Sequence, residues 1–394
     1  MKTICFCANI HIPPPKFYCR FFHIRQNHAN LSCPEIETYY KQVCSSRLVP
    51  WLKLLNKLIS ESDGKLKLTL SISGSTLMKL KEYNPDALVL MGKLLANRQI
   101  DFFAVPYSHS LLSYANSEYF RTETEKHQLL LKDMFGSQPE VYLLPTAFNS
   151  KQLLKSITEI NRSAAIVYHG KFSDNQFQIP SEECGWQTPK LFPINCQLSY
   201  ILQNGLCGIG KKSVESSASA LYSKFMKHFP SSDPEIVIYN PLNISPDFQL
   251  IADSIFAAFL KKLVKKTDTT FLLPSQLPKH TFVFDTSMPK KDAKPVAGLY
   301  LKNKLQKEAF RFLQKVEDCT GLDSPELWEV INDMEYLRYM SLKFVKPSFV
   351  KRYFNPYSSP YMAYLSYMNI LENIWMNQQD KTAFSRKSNV SVNT

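Results

Sequence analysis

The chain has 394 residues, a formal net charge of +13, 44% hydrophobic and 21% charged residues, and only 11 glycines. This composition is that of a globular protein, which excludes global disorder, and no apolar stretch reaches the roughly 18 residues of a membrane-spanning helix. The low glycine content argues against glycine-rich phosphate-binding folds, and the spread of the basic residues favours a solvated surface over a nucleic-acid site.

Strand and helix signals alternate through the first part of the chain. Residues 3–10 form a compact apolar run typical of a buried strand, and residues 50–62 carry apolar side chains at helical spacing. Strict alternation predicts βαβ units and a parallel sheet. The polar and ring residues that follow the strands favour a barrel whose site lies at the strand ends. Further strands are predicted at 66–72, 101–105, 141–144 and 164–168, and further helices at 86–97, 117–135 and 150–160.

From about residue 297 the pattern contains only helices. They are predicted at 299–317, at 324–343 with Ser324 as N-cap, and at 360–375. The sequence therefore predicts a β/α barrel at 1–295 and a helical bundle at 296–376 that packs on it. The polar tail at 377–394 is expected to be disordered.

The cysteines indicate free thiols. There are nine, with irregular spacing and without the paired knuckles of a metal site, and no secretory leader is evident. We expect a cytoplasmic protein without a metal or other cofactor. The sequence leaves the oligomeric state open.

One glycine-rich segment imitates a phosphate-binding loop. Residues 205–211 have its spacing, but Lys212 stands where the motif needs Ser or Thr for magnesium. The preceding residues 198–203 are interpreted as a strand, and the following run 213–219 lacks a firm apolar stripe. We expect a surface loop at 205–211 and no nucleotide site.

Four polar residues fall just after predicted strands, namely His11, Tyr107, His109 and Thr146. In a parallel barrel these positions meet at the rim that carries the site. Each has a plain structural alternative, because a lone histidine is often a hydrogen-bonded structural residue and an aromatic ring is often part of the core.

Long strings of the sequence resemble glycoside hydrolase family 57, and its α-amylase-like branch in particular. Residues 10–13 followed by 20–24 resemble the family's H-Q-P strand end and R-F-F-D-I run, and residues 101–110 resemble its E-F-L-A-E-T-Y-S-H-S segment. The resemblance covers about 1–375 and is weakest at 160–235. It implies an incomplete parallel (β/α)7 barrel with a C-terminal helical bundle. The other matching strings are 71–74, 135–141, 305–310 and 353–361.

The resemblance also implies that the catalytic groups are missing. Family 57 enzymes act on α-glucans with retention, which needs a nucleophilic carboxylate and an acid/base carboxylate. The first falls on Thr146, or on Ala147 if the alignment is shifted by one residue, and the second falls on Pro241. A threonine without an adjacent base is a poor nucleophile, and proline cannot exchange a proton. Polar family positions nearby have become Ile12, Val105 and Leu143.

We therefore expect a catalytically silent α-amylase-like protein whose cleft holds an α-glucan through His11, Tyr107 and His109. No nucleic-acid partner is expected. One alternative is an active glucan hydrolase or transferase with relocated carboxylates, for which Asp247, Glu182 and Glu183 are candidates. Another alternative is an interaction protein without a sugar ligand, whose basic bundle and tail dock an acidic partner.

Overall fold

A computed structural model gives the fold of this chain. It describes residues 2–15, 34–143, 164–168, 190–207, 213–230, 234–244, 246–266, 268–277, 300–319, 328, 331–341 and 356–390.

The central element is a nearly closed barrel of parallel strands. Seven strands follow the order β3-β2-β1-β7-β6-β5-β4, and every pairing is parallel. The short β8 pairs with the start of β1. The strands are β1 (Lys2–Ile10), β2 (Leu68–Ile72), β3 (Ile100–Phe102), β4 (Val141–Leu143), β5 (Ala164–Tyr168), β6 (Lys190–Ile194), β7 (Glu235–Tyr239) and β8 (Thr269–Phe271).

The barrel closes beyond the end of β3. Ala104 forms a parallel bridge with Tyr142, since the Ala104 amide donates to Val141 O at 2.9 Å and the Leu143 amide donates to Ala104 O at 3.0 Å. This arrangement confirms the predicted (β/α)7 barrel. All strands end at the same rim, so the residues after β1, β2 and β3 are neighbours there.

Helices cover the outside of the barrel and form the C-terminal bundle. A π-helical turn at Cys44–Leu48 joins α1 to α2, and a 3₁₀ turn at Pro274–Gln276 follows β8. The helices are α1 (Pro34–Val43), α2 (Val49–Ser60), α3 (Gly74–Tyr83), α4 (Pro85–Ala96), α5 (Leu112–Ala115), α6 (Ser117–Phe135), α7 (Cys196–Cys207), α8 (Val214–Lys227), α9 (Pro246–Val264), α10 (Lys304–Cys319), α11 (Glu335–Tyr339) and α12 (Pro360–Val390).

Alternation along β1 divides the core into two layers. Ile4, Phe6 and Ala8 face the surrounding helices, while Cys5 and Cys7 face the barrel interior. The interior is therefore apolar below the rim. Cys5, Cys7 and Cys44 are buried free thiols.

The bundle has a core of its own that includes part of the barrel. Leu111 and Leu112, which lie between β3 and α6, are buried in the same cluster as Leu313, Tyr336 and Tyr367 of the bundle. The bundle therefore packs on the barrel through this connection.

Two predictions for the C-terminal part of the chain need correction. The first bundle helix begins at Lys304, five residues later than predicted. The tail predicted to be disordered at 377–394 continues α12 as far as Val390. No proline or glycine interrupts this stretch, and its Gln, Lys, Ala and Arg residues are good helix formers.

Two further predictions near the imitated phosphate loop are wrong. Residues 198–203 belong to the helix α7, because Leu198, Leu202 and Leu206 repeat at helical spacing and are buried on one side. The run 213–219 opens α8, whose N-cap Ser213 accepts a hydrogen bond from the Ser216 amide at 3.2 Å. The predicted helix at 150–160 lies outside the described residues.

Candidate functional site

The rim of the barrel brings two of the predicted site residues into direct contact. His11 follows β1, and His109 lies in the loop after β3. Their rings stack with centroids 3.9 Å apart and planes 24° from parallel. His109 has a φ of 51°, an uncommon backbone conformation for a residue other than glycine. Strained backbone of this kind is often found at functional sites.

Both ring nitrogens of His11 have polar neighbours. Nδ1 lies 2.8 Å from Ser73 Oγ, and Nε2 lies 2.8 Å from Asp333 Oδ2. Ser73 follows β2 and caps α3, since its Oγ accepts from the Thr76 amide at 3.3 Å. Three separate parts of the chain therefore fix the imidazole of His11.

Asp333 reaches this rim from the bundle, on a segment that we call the rim segment (residues 331–341). The Met334 amide donates to His109 O at 3.1 Å, and Asp333 forms an antiparallel bridge with Ser110. Asn332 Nδ2 donates to Ser108 Oγ at 3.3 Å. The rim segment is thus tied to the His109 loop by a row of polar contacts.

Burial dominates the electrostatics of the cluster. It lowers the pKa of His11 to about 4 and that of His109 to about 3, because a buried imidazolium loses its hydration. Burial also raises the pKa of Asp333 to about 7. At neutral pH both imidazoles are therefore uncharged, and Asp333 is near the point at which it gains or loses a proton.

A second pair of charges lies in the same segment. Arg338 and Glu335 form an ion pair, and burial raises the pKa of Glu335 while the Arg338 charge opposes that rise. The charge of Glu335 in turn raises the pKa of Arg338, against the effect of burial. The cluster therefore contains the Arg338–Glu335 ion pair and a buried carboxyl, Asp333, whose pKa burial raises to about 7.

The ring of Tyr107 is buried in close contact with its neighbours. A Cβ added to Gly74 would lie 2.1 Å from the Tyr107 ring, so the ring rests directly on the glycine. Lys126 Nζ lies 3.8 Å from the centroid of the Tyr107 ring. Tyr107 is only 4% exposed. Its role as a sugar contact stays a prediction, and in this arrangement its ring offers no open face for stacking.

Helix α6 supports the loop that carries Tyr107 and His109. Glu123 Oε2 accepts from the Ser108 amide at 2.6 Å and from the Ser108 hydroxyl. His127 donates from Nε2 to Ile72 O at 2.8 Å and accepts from the Val105 amide at 3.4 Å. These contacts hold the loop from beneath and position His109 opposite His11.

Of the two positions matched to catalytic carboxylates, the structure describes only Pro241. Thr146 lies outside the described residues. Pro241 follows β7 and is buried. The turn after it is fixed by the buried Arg47, which donates to Leu242 O and Ile244 O. Pro241 therefore stands in a rigid turn at the rim without a group that can transfer a proton.

The candidate carboxylates for a relocated site are not brought together. Asp247 is exposed in the first turn of α9, and Glu182 and Glu183 lie outside the described residues. Among the described residues, the structure brings Asp333 and Glu335 to the rim beside His11 and places Glu123 under the loop after β3, and the sequence analysis missed all three. Charged residues within an otherwise apolar and aromatic run at 328–340 are the signal that could have identified them.

The described residues contain neither a metal-binding cluster nor a membrane-spanning helix. No group of three His, Cys, Asp or Glu side chains in that part of the chain has a metal-binding arrangement. None of the helices there is long and apolar enough to cross a membrane.

Comparison with known proteins gives a consistent set of relatives. The profile of "Glycosyl hydrolase family 57" matches residues 6–236. A Methanocaldococcus jannaschii protein named as a candidate α-amylase is 21% identical over 376 residues, covering 84% of this chain and 75% of that protein.

Solved structures share the fold at low identity. The α-amylase AmyC of Thermotoga maritima superimposes with a TM-score of 0.62 at 9% identity, over 98% of this chain and 94% of AmyC. A branching enzyme of Thermococcus kodakaraensis gives 0.57 at 11% identity, over 86% of each chain. The 4-α-glucanotransferase of Thermococcus litoralis gives 0.54 at 15% identity over 80% of this chain, which spans 46% of that enzyme.

Proposed function

Since the chain belongs to glycosyl hydrolase family 57, we propose that it is a catalytically silent α-amylase-like protein that binds α-glucan without cleaving it. Membership in the family places it among carbohydrate-active proteins. The lack of catalytic activity and the binding of α-glucan are what we propose. Retaining glycoside hydrolysis needs two carboxyl groups about 5–5.5 Å apart, one as nucleophile and one as acid/base. At the matched positions this chain has Thr146 and Pro241.

The observation that carries the proposal is the hydrocarbon character of the rim next to the catalytic positions. Val105 and Leu143, which replace polar family residues, are buried in the apolar cluster inside the barrel. Pro241 is buried at the end of β7. A carboxylate or an oxocarbenium-like transition state beside Val105 and Leu143 would lack hydration, because both side chains lie in the apolar interior. The chain thus keeps the family's barrel but has apolar side chains at positions where the family has polar catalytic ones.

His11 and His109 supply the polar contacts for a sugar. Both imidazoles are uncharged at neutral pH because burial lowers each pKa. A neutral imidazole has one donor and one acceptor nitrogen, which suits hydroxyl groups that also donate and accept. Tyr107 completes the proposed set, with its ring holding the loop and its hydroxyl as the group that contacts the ligand.

A second candidate function, an active glucan hydrolase or transferase, is favoured by one observation. Asp333 titrates near pH 7 beside His11, and a carboxyl with such a pKa can act as a general acid. The other acid at the rim, Glu335, is paired with Arg338. Loss of glucan cleavage in Asp333→Asn would favour this candidate, whereas no cleavage by the unmodified protein would exclude it.

Affinity electrophoresis in gels containing glycogen tests the proposed binding. We expect the protein to be retarded, and His11→Ala to be retarded less because it removes both the sugar contact and the stack on His109. The matched control is His228→Ala, a partly exposed histidine at the end of α8. Equal mobility of the unmodified protein with and without glycogen would instead favour the interaction protein without a sugar ligand.

A further inference from the structure

We propose that the outer face of helix α9 joins two copies of this chain, packed antiparallel about a two-fold axis at Ser254. The residues that form this α9 face are Asp247, Leu250, Ile251, Ser254, Ala258 and Lys261. The dimer does not rest on the proposed function, because neither a glucan nor a residue of the histidine cluster takes part in it.

The α9 face is apolar where a solvated helix would carry charge. Leu250 is 75% exposed and Ile251 is 40% exposed. Ser254 is exposed and Ala258 half-buried in the following turns, and Asp253, the charged residue among positions 248–260, is buried. Charged side chains reach the solvent only at the two ends of the face. Contiguous exposed apolar residues of this kind mark a surface that contacts another molecule.

Helix α6 shows that such a face is not required of a helix on the outside of this barrel. It has 19 residues, as α9 has, and it exposes the charged residues Arg121, Glu125 and Lys132 along its length. Charged and polar residues are typical of the solvent side of a surface helix. The middle of the α9 face lacks them.

The shape of the α9 face is complementary to itself. Helices α2 and α9 border a groove of about 440 Å³, in which Ala257 and Ala258 of α9 face Pro50 and Leu54 of α2. A two-fold axis at Ser254 places Leu250 opposite the partner's Ala258, four residues away from the axis in each copy. The large exposed side chain of one copy then meets the small side chains of the other. Each contact occurs twice, as the symmetry of a two-fold interface requires.

The charges at the ends of the α9 face select the antiparallel arrangement. Asp247 and Lys261 each lie seven residues, or about two helical turns, from Ser254 and so share its side of the helix. The same axis places Asp247 opposite the partner's Lys261. Lys261 Nζ lies 2.9 Å from Glu61 Oε2, and its side chain is 52% exposed. An ammonium group has three donors, so it can bind a second carboxylate.

The size of the α9 face predicts a weak dimer. From Asp247 to Lys261 it spans about four helical turns, which is at the small end of the interfaces that hold proteins together. We therefore expect a dissociation constant in the micromolar range. Exposed ion pairs add little affinity, but like charges placed opposite each other oppose association, and two such contacts occur in each dimer. Reversal of one charge should therefore weaken the dimer about tenfold or more.

Sedimentation velocity of the full chain, from about 1 to 200 µM at low salt, tests the dimer. The mass should rise with concentration from 45.4 kDa toward twice that value. Leu250→Glu should keep the protein monomeric throughout this range. The matched control is Leu129→Glu, which replaces a leucine that is 66% exposed on α6 and should leave the dimer unchanged.

A mixture of two charge-reversed variants tests the antiparallel pairing. Asp247→Lys alone places two lysines opposite each other at both ends, and Lys261→Asp alone places two carboxylates there, so each variant should be monomeric where the unmodified protein is dimeric. In a mixture of the two, both contacts again join opposite charges, and a mixed dimer should form. Damage to the fold by either substitution would not be repaired by mixing.

Three results would overturn the inference. They are a monomer at every concentration of the unmodified protein, which would leave the α9 face to another occupant, a dimer that Leu250→Glu does not weaken, and a mixture of the charge-reversed variants that stays monomeric. None of these results bears on glucan binding.

Discussion

The contact between Gly74 and Tyr107 gives a prediction whose size follows from the structure. A Cβ at position 74 would lie 2.1, 2.6 and 2.7 Å from three ring atoms of Tyr107. The ring cannot retreat freely, because Lys126 lies over it and the side chain is buried. Overpacking of this kind typically destabilises a protein by about 1–3 kcal/mol.

The net destabilisation by Gly74→Ala is smaller than the cost of the steric overlap alone. Gly74 is the first residue of α3, and replacing a helical glycine by alanine contributes roughly 0.5–1 kcal/mol of stability by itself. We therefore expect a net loss of up to about 2.5 kcal/mol in the free energy of unfolding. Urea unfolding followed by tryptophan fluorescence measures this loss. An unchanged slope of the unfolding free energy against urea concentration would show that the unfolded state is unaffected.

A second glycine provides the matched control. Gly92 lies within α4, and an added Cβ there has no heavy atom within 4 Å. Gly92→Ala should therefore stabilise the protein by about 0.5–1 kcal/mol. If Gly74→Ala proved as stable as Gly92→Ala, the placement of Tyr107 against Gly74, and with it the enclosed ring, would be refuted.

Three further predictions concern charge, chemistry and domain organisation. The folded-state pKa of Asp333 is raised from 3.8 to about 7, so its protonation favours the folded state, and this contribution is lost as the pH rises from about 4 to 7. The stability of the unmodified protein relative to Asp333→Asn should fall over that window, and a difference independent of pH would contradict the burial of the carboxyl. The double substitution of Thr146→Glu and Pro241→Asp should give at most trace cleavage of maltoheptaose, because the apolar rim would hold the new carboxyl groups protonated, and robust turnover would show that the surroundings still support catalysis. A fragment ending at Pro295 should be insoluble or bind a hydrophobic dye strongly, because it would expose the barrel surface that the bundle covers, whereas a soluble, cooperatively folded fragment would make the bundle a separable module.

The sequence predicted the bounds of a helix or strand correctly where the residues that begin and end it lie next to it. Helix α6 spans Ser117–Phe135 as predicted, since the Asn116 side chain caps its start and Gly136 ends it in a left-handed conformation with φ 64°. The strand Ala164–Tyr168 also has the predicted bounds. Residues 198–203 were misassigned because six residues do not separate a strand from one side of a helix, and only the continuation to Leu206 reveals the helical period.

The site was only partly predictable for a different reason. Position after a strand was enough to place His11 and His109 at the rim. The partner of His11 is Asp333, which lies in the bundle 322 residues further along the chain, and no local pattern connects two such residues. The support of the turn after Pro241 by Arg47 also joins distant residues, since Arg47 and Leu242 are 195 residues apart. Contacts between separate elements depend on packing, which the pattern of one segment does not contain.

Equilibrium dialysis of the protein against maltoheptaose for a day, with the oligosaccharides of both compartments sized by mass spectrometry, tests the central claim most directly. We predict an excess of the sugar on the protein side and recovery of all of it as the heptasaccharide. Shorter or longer oligosaccharides would contradict catalytic silence, and equal concentrations in the two compartments would contradict glucan binding.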